Sequence, residues 1–334
     1  VFIPSSETHE DLGYSSLIDF DENDIVYSYH ILRYKTKKPV YHYYKKYLIN
    51  HHSVLNQFSS ECKGTTRQII GRDVFNNVRV VLPPLSEQQQ IVSFLDTKTS
   101  LIDSLIEKTQ RKIELLKEKR TSLINEVVTK GLNPNVEMKD SGVEWIGEIP
   151  DGWNLKQLKH IIKTLNSGTS VNSEDTPVTN LDEYGVLKTS CVFGDTFRPN
   201  ENKKVVIEEY DRVKCPVLKD SIIFSRMNTP DLVGSNGYVD TNYDNLFLPD
   251  RLWITEFIED IKLSVKWLSF VTISRRFRSE LSSRSTGTSP SMKNITKDDL
   301  LTIKIPYPSF LEQQQIVEYL DEQTQLIDKT ISIE

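Results

Sequence analysis

LSEQQQIVSFLDTKTSLID, residues 85–103, is answered by FLEQQQIVEYLDEQTQLID, residues 310–328. Aligned without a gap, twelve of the nineteen positions are identical, at a constant offset of 225 residues. The match continues upstream, pairing Asp73 with Asp298, Val78 with Ile303, Arg79 with Lys304 and Pro83 with Pro308. Stacked repeats have periods of about 20–50 residues. A period of 225 is instead the length of a domain plus a connector, which predicts a duplicated two-part unit. Two similar units on one chain suit a partner that also comes in two related halves.

The connector reads as a long helix. Pro83-Pro84 ends the strand-like run VRVVL, because proline forfeits a ladder donor. Ser86 can cap, with Gln89 three residues on. No glycine or proline then occurs until Gly131 and Pro134, so the helix is expected to end near Lys130, about 67 Å from its start. Apolar residues fall in two heptad columns: Val92, Ile106, Ile113 and Val127, and Leu95, Ile102, Leu116 and Leu123. Thr99, Thr109 and Arg120 interrupt the columns as polar register marks of a coiled-coil seam. The second copy restarts the seam with Val317, Leu320 and Ile327, after Pro306 and Pro308. If a pseudo-twofold axis relates the units, the two helices pair antiparallel and hold the flanking domains a fixed distance apart.

The chain starts at Val1, with no basic segment followed by an apolar run of the signal-peptide kind. Counting back 225 residues from Gly142, where the second unit opens, lands roughly 84 residues before Val1, and Glu334 matches Thr109 inside the first helix. The start of unit one and the end of unit two are therefore expected to be missing. No apolar stretch reaches the roughly 18 residues of a membrane span. Cys62, Cys191 and Cys215 are odd in number and scattered, which argues against a disulfide framework or zinc site and suits a reducing cytoplasm.

The net charge of −6 hides a strong asymmetry. Residues 1–24 hold seven acids (Glu7, Glu10, Asp11, Asp19, Asp21, Glu22 and Asp24) and no base. Residues 25–84 hold ten bases against Glu61 and Asp73, with four histidines besides, and residues 261–297 hold eight bases against Glu280 alone. Local fields attract phosphates, whatever the total charge. Matching basic stretches in both copies are expected to face a polyanion.

The globular unit is complete once, over residues 142–309. Its opening, GVEWIGEIPDGW, sets Trp145, Ile146 and Trp153 around the turn Pro150-Asp151-Gly152, followed by a predicted short amphipathic helix. Short alternating runs such as KVVIEEY and SIIFSRM then signal strands. A helix is expected over 262–283, with Arg275, Arg276 and Arg278 in its C-terminal part. Short strands and helices in no regular alternation make the fold class α+β.

Catalytic signatures are sparse. Pro249-Asp250 followed by Asp260-Ile261-Lys262 fits a loose metal-nuclease pattern, but unit one has Ile25 and Lys35 where those carboxylates fall, so chance is the preferred reading. No phosphate-binding loop ends in Lys-Ser/Thr, and no GxGxxG or amino-methyltransferase tetrapeptide occurs. His51-His52 lacks a second ligand cluster at metal spacing, so no metal is expected.

The paired EQQQIV helix starts, the WIGEIPDGW opening, and the repeated order of globular domain then long helix resemble the specificity subunit of type I restriction–modification systems. The resemblance implies target recognition domain one at 1–84 without its beginning, a central conserved helix and linker at 85–141, domain two at 142–309, and the start of the distal conserved helix at 310–334. It further implies that each recognition domain reads half of a bipartite double-stranded DNA site. The helices would form an antiparallel coiled coil docking two methyltransferase subunits, which would carry S-adenosylmethionine, and a motor–nuclease subunit would join for cleavage. No cofactor is expected on this chain.

Residue chemistry points to where the DNA contacts would lie. Arg226 and Asn228, at a turn after a strand, suit guanine and adenine. Arg275, Arg276 and Arg278, then Arg284-Ser285-Thr286-Gly287-Thr288-Ser289, mix charge with small donors in a way that suits phosphates. In unit one the matching tract is Lys45, Lys46, His51 and His52, then Lys63-Gly64-Thr65-Thr66-Arg67-Gln68. Two other readings fit the same residues: the recognition subunit of a type II-like enzyme, or a coiled-coil assembly scaffold whose basic faces bind acidic protein.

Overall fold

The computed structural model describes the chain except residues 9, 10, 21–23, 25, 29, 290, 291 and 334, and except the side chains of 288 and 289. Glu10, Asp21, Glu22 and Ile25 therefore lie outside the described residues, as do the side chains of Thr288 and Ser289. The chain divides into two compact units, Val1–Gln110 and Arg111–Glu334, each described by itself.

In the first unit, helices α1 (Tyr44–Ile49), α2 (His52–Glu61) and α3 (Arg72–Asn77) gather around Leu12, Ile49, Val54, Phe58 and Ile70. The Phe75 ring stacks on both Phe2 and Phe58, at 4.4 and 5.8 Å between centroids. Helix α4 (Leu85–Lys130) runs for 46 residues, about 69 Å, and ends where the sequence places its end. Gly131 follows at φ +74°, and its N–H bonds Val127 O at 3.0 Å, the left-handed stop that glycine adopts without steric cost.

The duplicated motif has a physical explanation in its first glutamine. Gln88 is buried, accepts the Tyr41 N–H at 2.8 Å, and donates to Pro83 O at 2.7 Å. Gln313, its counterpart 225 residues on, is equally buried, accepts the Ser264 N–H at 2.9 Å, and donates to Pro308 O at 3.1 Å. In each copy one amide side chain thus ties the globular part to the helix start. The motif's aspartates repeat the theme one helical stretch later, with Lys46–Asp96 at 3.6 Å and Lys266–Asp321 at 2.6 Å.

The second unit is built on a four-stranded antiparallel sheet, ordered Asn236–Val239, Ser221–Ser225, Leu252–Phe257 and Ile162–Ser167. Every residue of Ser221–Ser225 is buried, because the strand serves two cores: Ile222 and Phe224 face one apolar cluster and Ile223 faces the other. A five-stranded sheet carries the second cluster and contains one parallel pair, Tyr243–Phe247 beside Gly185–Leu187. Gly168 follows the edge strand where a Cβ would lie 1.6 Å from Leu248 O. Gly168→Ala is accordingly expected to destabilise the unit by about 1–3 kcal/mol, measured as a lowered thermal midpoint, because backbone must move.

Helices α5 (Val265–Ile273), α6 (Arg275–Ser283), α7 (Lys297–Leu301) and α8 (Phe310–Ile333) complete the unit. The last turns of α4 pack against α8, with Ile124, Val127 and Val128 in one cluster with Ile316 and Leu320. The pairing is antiparallel: Gly131 approaches Glu312, whereas Arg120 pairs with Asp328 at 3.1 Å. The register mark at Arg120 is therefore an inter-helix ion pair. The domain opening packs onto this helix pair. Its hairpin, Met138–Asp140 with Glu148–Pro150, buries Ile146 and Ile149, and Trp153 Nε1 donates to Glu312 Oε2 at 2.9 Å.

Three expectations need correction. The short amphipathic helix after Gly152 is reduced to one 3-10 turn, Leu158–His160; Asn154–Gln157 is a strand paired with Lys304–Tyr307, and Ile162–Ser167 pairs with Leu252–Phe257. Non-local strand partners and the β-branched Ile161-Ile162 outweigh the local helical spacing there. The helix over 262–283 is broken at Ser274, whose hydroxyl donates to Val271 O at 2.7 Å and accepts the Phe277 N–H at 3.4 Å, serving both helix ends. The seam is also uneven. Val92 and Val127 are buried and Leu95, Ile113, Leu116 and Leu123 are half-buried, while Ile102 and Ile106 are half exposed and outside the apolar cluster of their unit. Leu320 and Ile327 are buried on α8.

Candidate nucleic-acid interface

In the first unit the basic tract forms two stations, the first with Lys45 half-buried and Lys46 exposed. Lys45 and Lys46 share α1: Lys45 lines a cleft with Arg33, Lys35 and His42, and Lys46 lies 5.0 Å from the Tyr47 ring centre while pairing with Asp96. Burial works against the Lys46 ammonium, yet hydrogen bonding and charge from Tyr47 and Asp96 hold its pKa above the usual lysine value. His51 is exposed and caps α2, where its ring accepts the Ser53 N–H at 3.3 Å. The second station is the turn Lys63-Gly64-Thr65-Thr66-Arg67, exposed throughout. Gly64 sits at φ +133°, where a Cβ would meet Arg67 O at 2.0 Å, so the turn's tightness requires glycine. Arg67 pairs with Glu7 at 3.3 Å in the open, a contact worth little against a phosphate.

In the second unit, residues distant in sequence meet on a three-stranded sheet ordered Met227–Asn228, Met292–Asn294 and Thr286–Ser289. Register sets Asn228 opposite Lys293, and Asn294 opposite both Met227 and Thr286. Arg226 leads into this sheet, with its backbone bonded to Arg251 O at 3.1 Å and to the Ile295 N–H at 2.9 Å. Its Nε is buried and finds no protein acceptor among the described residues. Asn228 spends its Oδ1 on the Thr229 N–H at 2.9 Å and keeps its amide donors. Thr286 is exposed at the start of its strand. Sequence reasoning passed over Lys293 and Asn294, although Lys293 lies in the basic stretch that the charge count picked out.

The arginines of this unit divide by environment. Arg275 and Arg276 are exposed in the first turn of α6, not near a helix C-terminus, as the break at Ser274 dictates. Arg276 also donates to Ile146 O at 3.2 Å. Arg278 turns inward and donates through Nη2 to Asp231 O and Val233 O at 3.3 and 3.1 Å. Arg284 is bound on all sides: Glu280 at 2.6 Å, Thr302 Oγ1 at 2.9 Å and Asp299 O at 3.3 Å. Arg284 and Arg278 thus hold loops together, while Arg275 and Arg276 keep guanidinium surface in solvent.

The nuclease-like residues do not converge: Asp250 offers its backbone oxygen to Ser167 at 3.0 Å, and Asp260 occupies a left-handed turn at φ +63°. Among the described residues no group of His, Cys, Asp and Glu could hold a metal ion, and no helix is long and apolar enough to cross a membrane.

The sequence profile of the Type I restriction modification DNA specificity domain matches residues 5–115 and 150–334. The chain is similar to the Type I restriction enzyme MjaVIII specificity subunit of Methanocaldococcus jannaschii, at 30% identity over 275 residues, covering 80% of this chain and 60% of that protein. The putative MjaX specificity subunit of the same organism is 28% identical over 308 residues, covering 87% of this chain and 63% of that protein. A chain from a solved structure of the type I R-M system shares the fold at a TM-score of 0.56 and 21% identity, over 83% of this chain and 62% of that one. The chain therefore spans less than two thirds of the length of the relatives it matches.

Proposed function

Because the chain belongs to the Type I restriction modification DNA specificity family, we propose that it supplies sequence specificity to a restriction–modification complex and leaves catalysis to partner subunits. Each globular part reads one half of a bipartite DNA site, and the long helices fix the gap between the halves and dock two methyltransferase subunits. S-adenosylmethionine belongs to those partners, and a motor–nuclease subunit joins for cleavage. The carrying observation is the repeated anchor, Gln88 and Gln313, which ties each reader to the start of its own helix by the same two hydrogen bonds. A ruler needs readers fixed to its ends.

Within this reading Lys63, Thr65, Thr66, Arg67, Lys45, Lys46 and His51 contact backbone phosphates in one half. Arg275, Arg276 and Thr286 do so in the other, with Arg226 and Asn228 at the base edges. Fluorescence anisotropy with duplex DNA, in the presence of methyltransferase, tests this. The expected result is binding to one bipartite sequence that is lost when the gap changes by a few base pairs. Binding indifferent to gap length would overturn the ruler.

The variants should differ in kind. Arg226→Ala is expected to cost about 1–3 kcal/mol on the cognate half-site only. Lys63→Ala is expected to weaken all duplexes and lower the log–log salt slope by about one.

A further inference from the structure

We propose that the cleft between the C-terminal part of α4, the turn at Gly194-Asp195, the 231–235 loop and the α5–α6 junction binds a phosphate-class oxyanion. The cleft has a volume of about 360 Å³ and is lined by three guanidinium groups, those of Arg120, Arg275 and Arg278. Its carboxylates are Asp195 and the exposed Asp231, and Asp328 already neutralises Arg120.

The unsatisfied groups decide the ligand. Nε and Nη1 of Arg278 are buried without a protein acceptor among the described residues, and the side chain's remaining nitrogen is spent on loop carbonyls. Arg275 is exposed at the same wall, and no ion pair or hydrogen bond engages its side chain among the described residues. Ser274, also in the lining, caps α6, whose Arg276 and Phe277 N–H groups are accepted by Asn125 Oδ1 and Ser274 Oγ, so the helix adds its dipole to the wall and not those two donors. The open fork in the lining is that of Arg275, which suits a tetrahedral oxyanion, and Nε and Nη1 of Arg278, which have almost no accessible surface, would reach the ligand once the side chain shifts.

Asp195 is the half-buried carboxylate of the lining. Burial raises its pKa, against the pull of Arg278 and Arg120, and no hydrogen bond engages its carboxylate among the described residues. Burial likewise lowers the Arg278 pKa, and Asp195 opposes that shift. An incoming oxyanion would replace Asp195 as the counter-charge of Arg278.

The shared chemistry is a phosphate group, whether free orthophosphate or a phosphodiester of a nucleic-acid strand. The test is isothermal titration of the full chain with orthophosphate at constant ionic strength in chloride, followed by titration with a short duplex. Saturable binding at one site is expected, weakened roughly tenfold or more in Arg275→Gln. Asp195→Asn is expected to tighten it several-fold, an outcome that a merely structural role for Asp195 would not produce. Arg278→Lys serves as the third variant, with its thermal midpoint checked first, because Arg278 also holds the 231–233 loop. If orthophosphate is silent but duplex affinity follows the same order across the variants, the occupant is a strand phosphate and the site stands. If neither ligand responds to Arg275→Gln or Asp195→Asn, the site is refuted. The orthophosphate arm is independent of the specificity reading, so loss of duplex recognition alone would strike that reading and leave this one intact.

Discussion

Leu320→Ala lowers the unfolding free energy of the Arg111–Glu334 unit by about 2–5 kcal/mol, read as a reduced urea midpoint with unchanged slope. Leu320 has no exposed surface and joins the cluster in which Ile124, Val127 and Val128 of α4 meet Ile316 of α8. Removing its branched end leaves a cavity between two helices that cannot close without losing their antiparallel register. Leu326, six residues nearer the end of α8, is 59% exposed, so Leu326→Ala should change stability by less than about 0.5 kcal/mol. Equal effects from the two substitutions would show that α8 packs on a different face.

Gln313→Leu comes second, at about 2–5 kcal/mol. The substitution keeps the volume but strands the buried Pro308 carbonyl and the part-buried Ser264 N–H, each costing about 1–3 kcal/mol when unpaired and cut off from water. Hydrogen exchange at the Ser264 amide should accelerate in step. Gln88→Leu is expected to do the same in the other unit, by exposing the Tyr41 N–H and Pro83 carbonyl. Gln314 is the neighbouring, exposed glutamine of the same motif, and Gln314→Leu should leave stability nearly unchanged. The three glutamines are chemically identical in sequence, so a large difference between positions 313 and 314 would isolate the anchor from helix propensity.

Neither prediction could be made from the repeated motif alone. The repeat marks Gln88 and Gln313 as equivalent but does not separate them from the flanking glutamines. Helical phase does so only once the packed face of each helix is known, and that face is set by the globular residues it meets. The basic residues behave alike. Arg275 and Arg278 stand three apart on one helix, yet one is exposed and the other reaches the carbonyls of Asp231 and Val233. The acceptors that draw Arg278 inward lie more than forty residues away in the chain.

What the sequence by itself determined is the set of local decisions. The duplication, the uninterrupted helix from Leu85 to Lys130 and its stop at Gly131 depend on residues within a few turns, where proline, glycine and apolar spacing act directly. Tertiary structure alone decided the strands at Asn154–Gln157 and Ile162–Ser167, the partial exposure of Ile102 and Ile106, and the separation of loop-holding arginines from solvent-facing ones. The strands and the loop-holding arginines rest on hydrogen-bond partners contributed from elsewhere in the chain, and the exposed isoleucines lie outside the apolar cluster of their unit; neither circumstance leaves a mark on the local spacing of residues.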